Sequence, residues 1–403
     1  MHKNNHYIEK EKSNDCDKLL FKDNPNIRYK ENIVNNFNYS YWICDTFDVY
    51  YPSNDNKKEL HLIYSIFDKK EIAILRIYDK KIIKLLTGHS NYIDKVKNFY
   101  NEKNNNNYLL SSDWNYTLYV WDLDNNYEIK YKIITGYTNY LFSFLLYFKL
   151  DYIITSSYGQ DELIDYIKIY SFKDGKPLRN IPNTDIVNTL YLLTWEKEKN
   201  DYIISLCYEK ISIYNLLNNE LYGNLTTNIK QSCGDYYLSG FISYDNKYLY
   251  TSSKEGYINI WNLYEKILVK NIFLQSSSLF KIIPWSVYVN YTCDKEDLKS
   301  YKNINNYILV CDKNKCGIIS LNIIFRNEID YNKFTNKIND LEEEKFHSYQ
   351  ILNLIENKNN QSIKMLKKLS HPIYGNGILC SDESKNIDLW INNQPIIIDI
   401  FNN

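Results

Sequence analysis

Along most of the chain, apolar and polar positions alternate with a period of two, the pattern of strands rather than of helices. Residues 85–122 show it in full. An alternating run at 92–100 is followed by an Asn-rich loop at 101–107. Leu109, Leu110, Ser111 and Ser112 form a second short run, a tight polar turn follows, and 117–120 alternate again up to Trp121 and Asp122. The same order recurs at 236–262, with strands at 236–243 and 248–252, turns at 244–246 and 254–256, and a closing strand that ends at Asn262. The pattern weakens at both ends. Residues 1–36 carry few apolar side chains and many Lys, Asn and Asp, which predicts a mostly disordered tail, with 27–34 available as an edge strand. Residues 39–45 read as the first inner strand. Late in the chain a polar insertion covers 293–306. In a second insertion, 326–362, Tyr331, Phe334, Ile338, Leu341, Tyr349, Leu352 and Ile355 fall near helical spacing. That spacing predicts an amphipathic helix over 330–346, with a weaker continuation to 356.

Seven stretches close an alternating strand. Their central residues are Tyr78, Trp121, Tyr170, Tyr214, Trp261, Ser320 and Trp390, separated by 43, 49, 44, 47, 59 and 70 positions. The first four gaps fit a repeat of roughly 40–45 residues, and the last two require the insertions. A four-stranded unit of that size cannot bury both faces alone, so several must cover one another around an axis.

The opening pair Gly88-His89, the spacer, and Trp121-Asp122 closing a strand resemble one WD repeat. The resemblance implies an all-β fold, a seven-bladed WD-type β-propeller over 37–403 with a helical or polar insertion late in the chain. It is strongest over 73–262. It also implies a hydrogen-bonded network inside the blade, formed by His89, Ser111, the turn residue Asn115 in the slot of an acid, and Trp121, with a structural and not a catalytic role. In the third unit Gly136-Tyr137 replaces Gly-His. The last unit is either short or borrows a strand from 27–35 to close the ring; the sequence leaves both open.

Composition fits strands. Tyr numbers 41, Gly 11 and Pro 7, and Ala73 is the single alanine. Tyr, Ile and Phe suit a pleated surface, whereas scarce Ala and Gly disfavour a packed helical protein. The abundance of Asn, Lys, Ile and Tyr matches AT-rich codons. A net charge of -1 provides no global field to draw in nucleic acid or an anionic membrane. The eight cysteines are scattered, and Cys311 and Cys316 lack a second pair at zinc spacing, so neither a disulfide framework nor a metal site is expected. The longest apolar run, 140–148, is too short to span a bilayer, and the polar N-terminus lacks a secretory core. These features predict an intracellular protein, cytoplasmic or nuclear, without a membrane span.

No hydrolase elbow, P-loop or kinase signature is present, so neither catalysis nor a cofactor is expected. An enzyme of this architecture needs carboxylates or histidines converging on the central channel; a dry, uncharged axis with an aromatic rim favours a scaffold instead. The basic clusters Lys80, Lys81, Lys84 and Lys364, Lys367, Lys368 alternate with apolar residues, as exposed strand faces do. Phosphoinositide-binding propellers carry a paired arginine; here Arg28, Arg76, Arg179 and Arg326 are all isolated. Ubiquitin-ligase substrate receptors often carry Trp-Asp-x-Arg; here Leu123 and Asp124 follow Trp121-Asp122. Both classes, and an enzyme with a channel-centred site, remain alternatives to a scaffold that binds proteins or peptides on its loop faces as a monomeric propeller within a complex. The family resemblance places Tyr92, Trp114 and Tyr140 on one rim, and Trp and Tyr are the residue types most enriched at binding hot spots.

Overall fold

The computed structural model describes residues 27–35, 46–53, 59–66, 69–137, 141–157, 166–182, 189–207, 210–225, 237–243, 245–273, 281–291, 302–311, 315–320, 354–356, 363–371, 375–382, 386–392 and 396–398. These residues are all-β. They form seven mainly antiparallel sheets. The first consists of β2 (Phe47–Tyr50), β3 (His61–Ser65), β4 (Glu71–Arg76) and β5 (Lys81–Thr87) in chain order. The second has β6 (Ile93–Asn101), β7 (Asn106–Asp113), β8 (Thr117–Asp122) and β9 (Glu128–Ile134). The third has β10 (Leu141–Tyr147), β11 (Tyr152–Ser157), β12 (Tyr166–Ser171) and β13 (Pro177–Pro182). The fourth has β14 (Thr189–Lys197), β15 (Asn200–Cys207), β16 (Ile211–Asn215) and β17 (Leu221–Leu225). The fifth has β18 (Tyr237–Ile242), β19 (Tyr248–Ser253), β20 (Tyr257–Asn262) and β21 (Ile267–Phe273).

The last two sheets depart from simple chain order. The sixth runs β22 (Lys281–Tyr291), β23 (Lys302–Cys311), β24 (Lys315–Ser320) and β25 (Leu354–Glu356), with β29 (Ile396–Ile398) added parallel to β22. The seventh contains β26 (Ile363–His371), β27 (Gly375–Asp382) and β28 (Asn386–Asn392), and its fourth strand is β1 (Ile27–Asn35).

Consecutive sheets share cores. Ile63, Ile72 and Ile74 of the first pack on Val96, Leu109 and Trp121 of the second. Comparable clusters join second to third, third to fourth, fourth to fifth and fifth to sixth. Strands β22 and β26 bring the sixth and seventh together. The seventh then packs on the first, with Ile33, Leu379 and Ile387 set against Phe47, Leu62 and Leu75. The order is therefore cyclic, and middle strands such as β7 are buried on both faces. That explains why they read as short apolar runs with little polar alternation. The outer strands stay exposed: β5 and β9 carry Lys81, Lys84, Lys130 and Lys132 outward, which discourages edge-to-edge pairing.

Two irregularities repeat from sheet to sheet and fix the common register. Each of five inner strands carries a bulge near its start, before Lys95, Ser143, Tyr191, Ser239 and Met365. A second lies against the third strand beside Leu75, Trp121, Tyr170, Tyr214, Trp261 and Trp390. A bulge bends a strand and re-aims the side chain that follows it. In the first sheet this register puts Leu75, and not Tyr78, at the closing position; Tyr78 lies in the next turn, 73% exposed. The family pattern mistook a turn aromatic for a core one.

Further sequence expectations meet the structure as follows. The first inner strand is Phe47–Tyr50; the run 39–45 and the helix read over 330–346 lie outside the described residues. Leu354–Glu356, expected as a weak continuation of that helix, is a strand paired with β24. Residues 302–306 of the polar insertion belong to β23, where 302–304 pair with Val287, Tyr288 and Val289 of β22 despite the low strand propensity of Asn. Lys367, expected on an exposed face, sits on an inner strand, 3.5 Å from Asp48 in the first sheet.

Candidate partner-docking rim

The rim grows from the hairpin of β7 and β8 and the approach to β6. Beneath it, four side chains form a directed chain of hydrogen bonds. Trp121 Nε1–H donates to Ser111 Oγ at 2.8 Å. The Ser111 hydroxyl lies 2.7 Å from His89 Nε2, and His89 Nδ1 lies 3.0 Å from Asp113 Oδ2. With a neutral imidazole protonated at Nδ1, every donor finds an acceptor. The side chains of His89 and Asp113 are 1% and 0% exposed. Burial pushes the His89 pKa below its usual value, against the opposing pull of Asp113. Burial works to raise the Asp113 carboxyl, but the hydrogen bond from His89 and backbone N–H groups of Thr117 and Asn115 outweigh it and hold the pKa low.

The acid facing His89 is thus Asp113. Asn115, expected in that slot, bonds Ser90 Oγ at 3.1 Å and accepts from Asn91 Nδ2 at 2.9 Å. The reason is local. Asp113 Oδ1 receives the N–H of Asn115 and of Thr117, both at 3.1 Å, so one carboxylate both caps the turn and reaches the histidine. The turn is held further by Tyr116 N–H to Asp113 O at 2.8 Å and Thr135 Oγ1 to Tyr116 O at 2.6 Å. Gly88 allows the strand to enter: its φ is +150°, and a Cβ there would meet Ile129 at 3.0 Å.

The other sheets fill the same positions with different chemistry. Thr155, Ser205 and Thr251 stand at the register of Ser111. Tyr137 hydroxyl lies 2.9 Å from Thr155 Oγ1, Thr189 Oγ1 lies 2.7 Å from Ser205 Oγ, and Trp261 Nε1–H donates to Thr251 Oγ1 at 3.1 Å. Tyr137 therefore takes over the reach of the histidine in the third sheet. The residue after the closing aromatic caps the following turn: Asn215 Oδ1 accepts from Leu217 N–H at 2.7 Å, and Asn262 Oδ1 from Tyr264 N–H at 3.0 Å. Asp, Asn and Ser recur there because each offers an acceptor close to its own backbone.

On this fixed turn stand two exposed aromatics. Tyr92 is 38% and Trp114 48% exposed. Their rings meet edge to face, centroids 5.5 Å apart at 71°, and Trp114 N–H donates to Tyr92 O at 3.0 Å. The polar side chains bonded around this turn, Ser90, Asn91 and Asn115, are uncharged. Tyr140, the third expected rim residue, lies outside the described residues.

Ser111, His89 and Asp113 have the atom order of a hydrolase triad, but Ser111 is fully buried and its oxygen already accepts the indole N–H. No substrate carbonyl can approach it. Among the described residues no group of three or more His, Cys, Asp or Glu side chains is placed to hold a metal ion. The centre of the ring is not uncharged either. Tyr191 of the fourth sheet is approached by Lys97 of the second and Lys281 of the sixth, sheets that can meet only at a common axis. Three of the seven inner strands carry these residues, and period-two patterning alone gives no sign that they converge.

No protein-family model matches the chain, and no curated protein matches it in sequence. Its fold has solved counterparts. One is the crystal structure of BBS1N in complex with ARL6DN, 10% identical, with 91% of this chain and 97% of that chain covered at a TM-score of 0.59. At that identity the likeness is one of architecture. Among the described residues the chain is an all-β protein of repeated, mostly four-stranded antiparallel sheets, similar in fold to the β-propeller of BBS1N.

Proposed function

We propose that the chain is a seven-bladed WD-type β-propeller that serves as a non-catalytic scaffold, docking a protein or peptide partner on the rim of Tyr92 and Trp114. The observation that carries this reading is the exposed Tyr92–Trp114 pair on a turn fixed from below by Asp113. Exposed aromatics on a rigid support lose little conformational entropy on binding, which favours affinity. With amides and a serine around them, they suit a partner that inserts an apolar or aromatic side chain rather than a charged one. The fold neighbour BBS1N was crystallised with a protein, ARL6DN, which supports a protein-binding role for this architecture.

The partner-bound propeller itself is taken to be monomeric and intracellular, in the cytoplasm or nucleus. The test is affinity purification with wild type, Tyr92→Ala and Trp114→Ala. A hot-spot aromatic costs about 2 kcal/mol or more on truncation, so partner recovery should fall by roughly tenfold or more. The melting temperature should stay within about 2 °C of wild type. Unchanged recovery, or a collapse in thermal stability, would count against the rim.

A further inference from the structure

The rim proposed above as a docking surface is unbalanced in its hydrogen-bonding groups, and the imbalance narrows what it can bind. Its backbone acceptors are taken. Tyr92 O accepts the Trp114 N–H at 3.0 Å, and Asp113 O the Tyr116 N–H at 2.8 Å. Gly88 O accepts the Tyr119 hydroxyl at 2.7 Å, and Tyr116 O the Thr135 hydroxyl at 2.6 Å. The carboxamide oxygens are engaged too. Asn91 Oδ1 receives the Tyr92 N–H at 2.8 Å, and Asn115 Oδ1 the Asn91 amide at 2.9 Å. The two exposed aromatics carry the opposite surplus. Among the described residues no hydrogen bond engages the Tyr92 hydroxyl or the Trp114 indole N–H.

A partner for such a surface brings acceptors and few donors. An ordinary peptide carries one N–H for every C=O, and an N–H laid on the rim without an acceptor loses its water uncompensated. Proline is the residue with a backbone carbonyl and no N–H. Proline-rich segments also adopt polyproline II, whose carbonyls are used in no internal hydrogen bond and whose stiffness limits the entropy lost on docking. The proline ring adds an apolar plane that packs on aromatic faces. Tyr92 and Trp114 meet at 71° with centroids 5.5 Å apart, so together they form a corner of two planes on a turn that Asp113 holds fixed. The polar side chains bonded around that turn carry no charge, so nothing in it favours an acidic or a basic segment.

We propose that the rim binds a proline-rich segment in the polyproline II conformation. A proline ring packs in the corner between the two aromatics, and carbonyls flanking it accept from the Trp114 indole N–H and the Tyr92 hydroxyl. This ligand class rests on the docking role given to the rim above.

The test is fluorescence anisotropy of labelled decaproline titrated with the full chain, with a labelled Gly-Ser peptide of equal length as control. Decaproline should bind saturably to wild type and to Tyr78→Ala, which removes an exposed aromatic on another turn. Trp114→Ala and Tyr92→Ala should weaken binding by roughly tenfold or more. Trp114→Phe and Tyr92→Phe each keep a ring and remove one donor, and should weaken it by roughly two- to tenfold. Between about 0.05 and about 0.5 M sodium chloride the affinity should change by less than about twofold, because no charge takes part. No saturable binding by wild type, equal binding of the Gly-Ser peptide, a steep salt dependence, or phenylalanine variants as tight as wild type overturns the proposal. Partner recovery separates the two readings. A partner lost with Trp114→Ala while decaproline fails to bind refutes the ligand class alone, and failure of both refutes the rim as well.

Discussion

At the scale of single residues, the chain shows how one carboxylate can do two jobs. Asp113 caps its own turn through Oδ1 and orients His89 through Oδ2. Asp113→Ala leaves a buried imidazole N–H and two backbone N–H groups without their acceptor, and should cost about 3–4 kcal/mol in urea unfolding. Asn115→Ala, at the exposed turn, should cost only about 0.5 kcal/mol. The reverse ranking would restore the acid's role to Asn115. A pH dependence follows as well. The folded pKa of His89 lies below the ordinary 6.5, so below that pH the unfolded chain takes up a proton that the native imidazole refuses. Stability contributed here is full above 6.5 and falls as pH drops toward the native pKa, where it levels off. Asp113, held low when folded, adds a second loss as pH falls through the carboxylate range. The stability gap between wild type and His89→Phe should therefore narrow between neutral pH and about pH 5, measured from urea midpoints; a constant gap would contradict it. The Gly-His and Trp-Asp dipeptides made this network visible in sequence. The acid was misplaced because a turn offers two polar positions two residues apart, and only geometry shows which one faces the ring.

At the scale of elements, the recurring bulges matter more than the recurring residues. They keep Leu75, Trp121, Tyr170, Tyr214 and Trp261 in one register although the side chains differ. Pattern reading found the four aromatic members, because an aromatic before a turn-capping residue stands out. It missed Leu75, where an aliphatic residue fills the position and Tyr78 offered a decoy. The strand pairing of Ile27–Asn35 with Asn386–Asn392 was open in the sequence for a different reason: partners some 360 residues apart leave no local trace. The pairing closes the ring, and Ile33 seats in the core shared with Phe47 and Leu379. Ile33→Ala should cost about 2–4 kcal/mol. Removing residues 1–35 should cost more, because it also strips the β28 edge of its hydrogen-bond partners. Thermal unfolding checks both, and a deletion variant as stable as wild type would mean that the ring is closed elsewhere.

At the scale of the whole molecule, the seven sheets formed by the described residues follow one another in cyclic order, with polar stitching between neighbours, lysines near the centre and aromatics on a rim. Alternation in the sequence predicted sheets that need one another's faces, and the cores between them show why: central strands such as β7 and β15 are covered on both sides. What alternation could not show is which inner side chains meet across the axis, since Lys97, Tyr191 and Lys281 are far apart in the chain and alike in period. In the proposed function, the rim of Tyr92 and Trp114 is where a partner docks. The most direct measurement is site-specific photo-crosslinking, with a benzophenone side chain placed at Tyr92 or, as a control of greater exposure, at Tyr78 on an outer turn. Docking at the rim predicts a discrete partner crosslink from position 92 that Trp114→Ala abolishes, and none from position 78. Crosslinks from position 78 alone, or from position 92 undiminished by Trp114→Ala, would contradict it.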